Sequence, residues 1–418
     1  MRPPWPGPAE PLEIALVSEH ASPLAALGGA DAGGQNVHVA QLAGQLAERG
    51  HRVTVYTRRD CATLPRTVRI RPGLEIRHVP AGPAHSLPKD ELLPHMPEFS
   101  EFLEREWTRR PPHLAHAHFW MSGIATWWAT RALGIPFVHT FHALGSVKRR
   151  HQGAADTSPP GRIDWERQIG SHCDLTVATC RDEVTELVAL GVPVGKVRVV
   201  PCGVDPQWFS PRPRPAQDAP PHGRPFRLLH IGRLVPRKGA EVAIEALARV
   251  PGAELVIAGG SPGAAPGRDP EVRRLRAVAR RCGVTDRVRF AGAVPRPEVP
   301  ALMRGCDLVL CPATYEPFGI VPLEAMACGV PVVASAVGGQ LDTVADPATG
   351  RLVPPGDPAA LAAAVTELLD DPAQRAACGA AGRRRVLTRY RWASVAEATE
   401  RVYRDLRVRD PAPAVHRV

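Results

Sequence analysis

The chain reads as α/β, arranged as two successive domains that each carry a mainly parallel sheet. Short apolar runs such as Glu13–Val17, Phe226–Ile231 and Leu308–Leu310 alternate with segments long enough for helices. A length of 418 residues exceeds what one hydrophobic core usually serves, and 44% apolar residues can build two. The alternation breaks once, at a stretch dense in Pro, Arg and Gly from 206 to 225.

In the first half, Glu13–Val17 is a buried strand followed by a loop that ends Gly28, Gly29, Ala30, Asp31, Ala32, Gly33, Gly34. A helix is expected from about Gln35 to Arg49. Glycines ahead of a helix let backbone amides approach a phosphate or sugar, but they serve equally as a tight turn. Their spacing matches neither G-x-G-x-x-G nor the nucleoside-triphosphate loop with its lysine. Strands His51–Tyr56 and Glu75–Val79 follow, then a loop between Pro80 and Pro97 holding Lys89, either a cation for an anionic substrate or a solvated lysine. A helix Phe99–Trp107, a strand His113–Ala117 running into His118, Phe119 and Trp120, and a helix Ile124–Leu133 come next. The strand Pro136–Thr140 leads into Phe141 and His142, and a polar excursion runs from Ala143 to Arg162. Strand Leu175–Ala178, helix Asp182–Leu190 and strand Val197–Val200 complete this half.

His142 directly follows a buried strand, so its ring is expected at the carboxyl edge of the sheet, where open α/β proteins bind ligands. His116, His118, His139 and His142 could gather round a metal, but His116 and His139 read more simply as strand residues with local hydrogen bonds. No metal is expected.

The second half restarts with strand Phe226–Ile231, the loop Gly232, Arg233, Leu234, Val235, Pro236, Arg237, Lys238, Gly239, and a helix to Val250. A guanidinium leaving the strand at Arg233 and an ammonium just before the helix at Lys238 suit a diphosphate, or are two exposed basic residues of a loop. Strand Glu254–Ala258, a Gly/Pro loop from Gly259 to Pro270, helix Glu271–Cys282 and strand Val288–Phe290 continue the pattern. Residues 306–340 then organise the rest: strand Leu308–Leu310, loop Thr314–Phe318, helix Ile320–Cys328 and strand Val330–Ser335. Glu316 and Glu324 lie in this otherwise apolar unit and need partners there. Gly319 allows a close turn, and the first helical amides favour an anion. Glu324 can accept hydroxyl hydrogens from a ribose and Glu316 from a sugar, or they are simply a helix-start acid favoured by the macrodipole and an exposed loop acid; their paired spacing at a strand's end favours a ligand site. Strand Arg351–Val353 and helices near Pro358–Leu369, Pro372–Leu387 and Trp392–Leu406 end the pattern. Arg383, Arg384 and Arg385 read as a solvated helix face.

A net charge of +10 is modest for this length, and no basic patch interleaved with aromatics points to nucleic acid. Nine cysteines without a C-x-x-C pair suggest a reducing, cytoplasmic setting. No apolar run is long enough to span a membrane, and residues 1–11 read as a disordered tail.

Five motifs together resemble one family: DAGGQNVHV at 31–39, HAHFWMSG at 116–123, HTFHALGSVKR at 139–149, GRLVPRKG at 232–239 and EPFGIVPLE at 316–324. From about Leu12 to Leu406 the chain is similar to the retaining, nucleotide-sugar-dependent glycosyltransferases of GT-B architecture, with two facing Rossmann-like domains. It resembles most the branch that contains D-inositol-3-phosphate glycosyltransferase and sucrose-phosphate synthase. The resemblance implies an acceptor-side domain at 12–204, a linker at 205–225, a donor-binding domain at 226–390, a C-terminal helix at 391–406 returning to the first domain, and a tail at 407–418.

It also implies roles. Gly33 and Gly34 would offer backbone amides to the donor diphosphate, and Arg233 and Lys238 would bind that diphosphate as it leaves. Glu316 would hold the transferred sugar, Glu324 the ribose, and Phe318, Gly319 and Ile320 would line the donor site. His142 would stand beside the donor sugar, and with Asn36, Lys89, Phe119 and Arg162 would form the acceptor side. The catalytic group would be His142, Arg233, Lys238 and Glu316, with a UDP-sugar as the expected donor and no cofactor or metal. D-inositol 3-phosphate is the single acceptor the branch suggests. Phe119 stands where those enzymes have tyrosine and Ala143 where they have threonine, which removes two hydroxyls from the acceptor side. A sucrose-phosphate synthase-like or other natural-product or glycan transferase stays open, as does a nucleotide-sugar-binding regulatory protein without turnover. A phosphorylase is disfavoured, since no S/T-x-x-x-K motif makes a convincing cofactor-lysine site. No nucleic acid or integral membrane segment is expected, and a homodimer is left open.

Overall fold

The structure is a computed structural model that describes residues 5–7, 10–24, 33–211, 225–260 and 267–406. Part of the first glycine loop (25–32), most of the Pro-rich stretch (212–224), residues 261–266 and the end of the chain (407–418) lie outside the described residues. The chain divides into two compact units: residues 1–179, 183–201 and 392–418 form the first, and 180–182 with 202–391 the second.

The first unit holds strands β1 (Glu13–Val17), β2 (Arg52–Arg58), β3 (Thr67–Arg71), β4 (Leu74–Val79), β5 (Leu114–His118), β6 (Phe137–Thr140), β7 (Leu175–Ala178) and β8 (Val197–Val199). They form one sheet in the order β3-β4-β2-β1-β5-β6-β7-β8, parallel except where β3 pairs antiparallel with β4. Its helices are α1 (Gly34–Glu48), α2 (Met96–Arg109), α3 (Trp120–Leu133), α4 (Gly145–Gln152), α5 (Arg162–His172) and α6 (Arg181–Ala189), whose first two residues cluster with the second unit. The second unit holds β9 (Phe226–Ile231), α7 (Ala240–Leu247), β10 (Ala253–Ala258), α8 (Pro270–Arg281), β11 (Val288–Gly292), α9 (Val299–Arg304) and β12 (Leu308–Cys311). It continues with α10 (Ile320–Ala327), β13 (Val332–Ser335), α11 (Gln340–Thr343), β14 (Gly350–Val353), α12 (Pro358–Asp370) and α13 (Pro372–Arg389). Its all-parallel sheet runs β11-β10-β9-β12-β13-β14.

Both sheets are doubly wound about their first strand. In each, the chain lays strands outward on one side and then crosses to the other, so the order reverses between β1 and β5 and between β9 and β12. Loops leaving the carboxyl ends at such a reversal diverge and leave a crevice for ligand. The second sheet shows why both faces are covered. Leu228 packs with α7, α8 and α12, while its neighbour Leu229 packs with α9, α10 and α13, as the two-residue period of a strand requires. The last helix, α14 (Trp392–Asp405), belongs to the first unit and packs on α1, where Trp392 meets His38, and it buries Val395, Ala396, Thr399 and Val402. Glu400 ties it there by an ion pair to Arg49 at 2.6 Å.

Several expectations need correction. The excursion from Ala143 to Arg162 contains helix α4, and α5 begins at Arg162; both are too polar to show an apolar stripe. The loop holding Lys89 is two 3-10 turns, and β3 was not expected because its alternating residues sit half-exposed at the sheet edge. Residues of the supposed N-terminal tail are packed: Trp5 lies edge-on to His113, and Arg404 donates to the carbonyls of Gly7 and Glu10. The opening of the supposed linker belongs to the second core, where Phe209 is buried. Only Arg384 of the three arginines is exposed. Arg383 donates to the carbonyls of Phe209, Ala327 and Pro206, and Arg385 to those of Asp342 and Thr343. All nine cysteines are free thiols, and among the described residues no helix is long and apolar enough to cross a membrane.

Candidate active site

In the second unit, three loops leave the carboxyl edge of the sheet and lock together through backbone. The β9 loop carries Arg233, Arg237 and Lys238. Gly239 closes it with φ +74, and a Cβ there would lie 1.9 Å from the carbonyl oxygen of Pro312 in the β12 loop. Thr314 N–H donates to the Arg237 carbonyl at 2.9 Å, and the Arg237 guanidinium donates to the Tyr315 carbonyl at 3.3 Å. From the β13 side, Gly339 N–H donates to the Glu316 carbonyl at 2.8 Å.

Glu316 is thus gripped from two directions, and its carboxylate forms an ion pair with Lys238 Nζ. Burial alone would push this carboxyl up. The Lys238 ammonium, Arg237 and the Phe318 N–H outweigh burial and hold it below its usual value. Gly319, with φ +69, caps α10, and Ile320 opens the helix. Glu324 on the same helix is 2% exposed and pairs with Arg296, which stacks 4.9 Å from the Phe209 ring and 5.5 Å from Trp208. Burial raises the Glu324 carboxyl, and Arg296 offsets this only in part. Arg233 is exposed and its side chain makes no hydrogen bond or ion pair with the described residues. The structure therefore brings Arg233, Lys238, Glu316, Phe318, Gly319, Ile320 and Glu324 to one sheet edge.

In the first unit, Gly33 caps α1 with extended backbone, and Gly34 is the first helical residue, so the helix's leading amides lie at the carboxyl edge of β1. Asn36 Nδ2 donates to the Ser22 carbonyl at 3.2 Å, and Gln35 Nε2 to that of His118 at 3.2 Å. Phe119 follows β5 directly, and His142 follows β6 after Phe141. Phe119 and His142 are the described non-glycine residues with positive φ, at 83° and 62°. Lys89 Nζ lies 5.1 Å and the Arg162 guanidinium 5.2 Å from the Phe119 ring centroid, so these three predicted residues meet.

Arg162, expected as a fork for an acceptor, is buried, with each of its three nitrogens donating within the fold. Nε donates to Glu166 at 2.7 Å, one terminal nitrogen to Ser158 at 3.2 Å and the other to the Ala143 carbonyl at 2.5 Å. His142 Nε2 lies 2.9 Å from His118 Nδ1. Burial, followed by neighbouring histidines, pushes the His116, His118 and His142 rings well down, and burial alone brings His38 to about 4 and His139 to about 3. All five are neutral near pH 7. His116 has the local hydrogen bonds expected of it, to Tyr403 and Thr140, whereas His139 has both ring nitrogens buried without a hydrogen-bond partner.

Three residues at these two sheet edges are not singled out by the sequence pattern. Arg296 could have been sought, since a buried Glu324 demands a cation. Arg237 was read only as part of its loop, and His118 was named only within its motif and the metal alternative.

Two doubly wound sheets in one chain, the second with cations and carboxylates near the loops where its strand order reverses, make a sheet edge suited to an anionic ligand such as a diphosphate. Glycosyltransferase Family 4 matches residues 32–208 and Glycosyl transferases group 1 matches residues 214–385. The D-inositol 3-phosphate glycosyltransferase of Xylanimonas cellulosilytica is 38% identical over 414 residues, covering 96% of this chain and 98% of that one. That of Mycolicibacterium smegmatis is 36% identical, covering 97% and 95%. The sucrose-phosphate synthase structure from Thermosynechococcus elongatus superposes with a TM-score of 0.86 at 33% identity, covering 95% and 99%. The Anabaena protein HepE, solved in complex with UDP and glucose, shares the fold with a TM-score of 0.72 at 21% identity, covering 94% and 100%. The chain belongs to the glycosyltransferase family that these D-inositol 3-phosphate enzymes represent.

Proposed function

We propose that the chain transfers a hexosyl or N-acetylhexosaminyl unit from a UDP-sugar to a small polyol or sugar, with retention of anomeric configuration. The observation that carries this reading is the set Arg233, Lys238, Glu316 and Glu324 at the reversal point of one sheet. Arg233 and Lys238 meet the diphosphate, Glu316 the sugar hydroxyls and Glu324 the ribose. The relative crystallised with UDP and glucose supports a uridine nucleotide. As the bond from the anomeric carbon to the phosphate oxygen breaks, charge grows on the departing UDP, and the two cations and nearby amides stabilise it more than they stabilise the ground state. The acceptor oxygen bonds to the same face of the anomeric carbon, and its proton passes to the leaving phosphate oxygen. Gly33 and Gly34 offer amides to the diphosphate, while His142 and Asn36 stand near the transferred sugar.

D-inositol 3-phosphate is the narrower reading of the acceptor, supported by the relatives that carry that name, with Lys89 as the charge facing the phosphate. The similarity to sucrose-phosphate synthase favours a second reading, a phosphorylated hexose. The nine free thiols fit a reducing cytoplasm. A mass-spectrometric screen of UDP-, GDP- and ADP-sugars against free and phosphorylated inositol and hexoses tests the reading. Transfer from a UDP-sugar to one of these acceptors is expected. Nucleotide binding without transfer or hydrolysis across the panel would make the chain a sensor instead, and NMR of the first-formed product showing inverted configuration would remove retention.

A further inference from the structure

Beneath the strand ends of the first unit lies a chain of buried side chains that the proposed transfer does not itself use. Tyr403, on α14, places its hydroxyl 2.7 Å from His116 Nδ1, and His116 Nε2 lies 2.9 Å from Thr140 Oγ1. Thr140 is the last residue of β6, and its carbonyl accepts the N–H of Phe119 at 2.9 Å. The His118 ring packs on His116 with centroids 4.2 Å apart, and its Nδ1 meets His142 Nε2 at 2.9 Å. Trp392, also on α14, reaches the same place through His38, with ring centroids 5.5 Å apart, and His38 lies 5.1 Å from His142. Both routes run from the returning helix to Phe119 and His142, the two residues held at positive φ. Such backbone persists only where its surroundings over-determine it.

The protons on this chain can be assigned. Burial keeps the Tyr403 phenol protonated, and a phenol is a better donor than a threonine alcohol. Tyr403 O–H therefore donates to His116 Nδ1, the His116 proton sits on Nε2, and Nε2–H donates to Thr140 Oγ1. Removing the phenol oxygen leaves Nδ1 buried without a donor and takes away one of the two bonds that hold the ring, so that the ring can turn and carry its Nε2–H away from Thr140.

We infer that Tyr403 is a positioning residue for the transfer: by holding the His116 ring in place with its Nε2–H on Thr140 it anchors the end of β6 and holds Phe119 and His142 in their strained, substrate-ready backbone. The inference rests on the proposed placing of His142 and Phe119 at the transferred sugar and the acceptor. It gives α14 a part in turnover as well as in packing.

The test uses the full chain and Tyr403→Phe, with Thr399→Val as a control on the same buried face of α14. Tyr403→Phe is expected to lower kcat about tenfold or more and to raise acceptor KM, while UDP affinity by calorimetry stays within twofold because Arg233, Lys238 and Glu324 lie in the other unit. Thr399→Val is expected to leave kcat within twofold. An unchanged kcat in a folded Tyr403→Phe, or equal falls in kcat and UDP affinity accompanying a lower Tm, would overturn the positioning role. Imidazole 15N NMR of the unaltered protein decides the matter even if the variant does not fold or no acceptor is found. His116 is expected as the Nε2–H tautomer, and the Nδ1–H tautomer would overturn the inference. Absence of turnover in the unaltered chain, with the Nε2–H tautomer present, would count against the transferase reading and leave the anchor standing.

Discussion

Replacing Lys238 with alanine separates what its ammonium does for the fold from what it does for the leaving group. The Lys238 and Glu316 side chains are 18% and 12% exposed, so water screens their pairing little. Breaking a buried pair costs about 3–5 kcal/mol because a charge is left behind. Here Arg237 and the Phe318 N–H remain beside Glu316, which places the loss near the lower end, about 3 kcal/mol, or roughly 6–12 °C in the melting of a unit this size. Loss of a donor aimed at charge developing in the transition state costs about 3–4 kcal/mol, roughly 10²–10³ in kcat. Lys238→Ala is therefore expected to cut kcat by about 10²–10³ while donor affinity falls less than about tenfold.

The pH response follows from the same pair. Glu316 has a folded pKa below its unfolded one, so it stabilises the fold above the unfolded value and that stability is lost as pH falls through the folded value. Without Lys238 burial faces less opposition, the Glu316 pKa rises, this acid-side loss shrinks, and the acid limb of kcat/KM moves to higher pH. Steady-state kinetics, calorimetry with UDP and melting curves across pH measure all of this. Donor affinity falling as far as kcat, or an acid limb that does not move, would refute the reasoning.

Three other substitutions bear on the site. Glu324→Ala is expected to weaken UDP binding about 10-fold, the worth of one or two hydroxyl hydrogen bonds, with kcat nearly unchanged; calorimetry showing intact UDP affinity would displace Glu324 from the ribose. Lys89→Ala is expected to raise acceptor KM about 5- to 10-fold without altering UDP affinity, since Lys89 sits over Phe119 in the first unit, and an acceptor KM indifferent to the change would remove it from the acceptor side. Arg162→Met leaves Glu166 buried beside only the Gly145 N–H and is expected to destabilise the chain by about 3–5 kcal/mol. Glu166 already has a raised pKa through burial, partly offset by Arg162, so the loss should shrink as pH falls and the carboxyl takes up a proton. A melting temperature that does not move would return Arg162 to a purely acceptor-binding role.

Much of this architecture was legible along the chain because local patterning carries it. Strands Glu13–Val17 and Phe226–Ile231 have the expected bounds, and the helix opening at Ile320 starts where Gly319 forces the turn. The residues proposed for the donor come together for a related reason: Arg233, Lys238 and Glu316 each follow a strand's carboxyl end by a few residues, and a parallel sheet collects those ends on one edge. Polar elements were not legible. Helix α4 and the first turn of α5 are held by charged pairs, Lys148 with Asp156 and Arg162 with Glu166, so no stripe of apolar residues marks them along the chain.

By itself the sequence determined the class of fold and which charged residues stand near the strand ends, because periodicity, glycine placement and charge in loops act over a few residues. The partners of those charges were decided only by the tertiary structure. Arg296 neutralises Glu324 from 28 residues away, His118 meets His142 from 24, and Tyr403 reaches His116 from 287. Burial turns such distant neighbours into necessities, since a charge or imidazole removed from water must find its complement wherever the packed chain brings one. Arg162 makes the same point in reverse: its sequence position left it available to an acceptor, and packing committed it to Glu166, Ser158 and the Ala143 carbonyl.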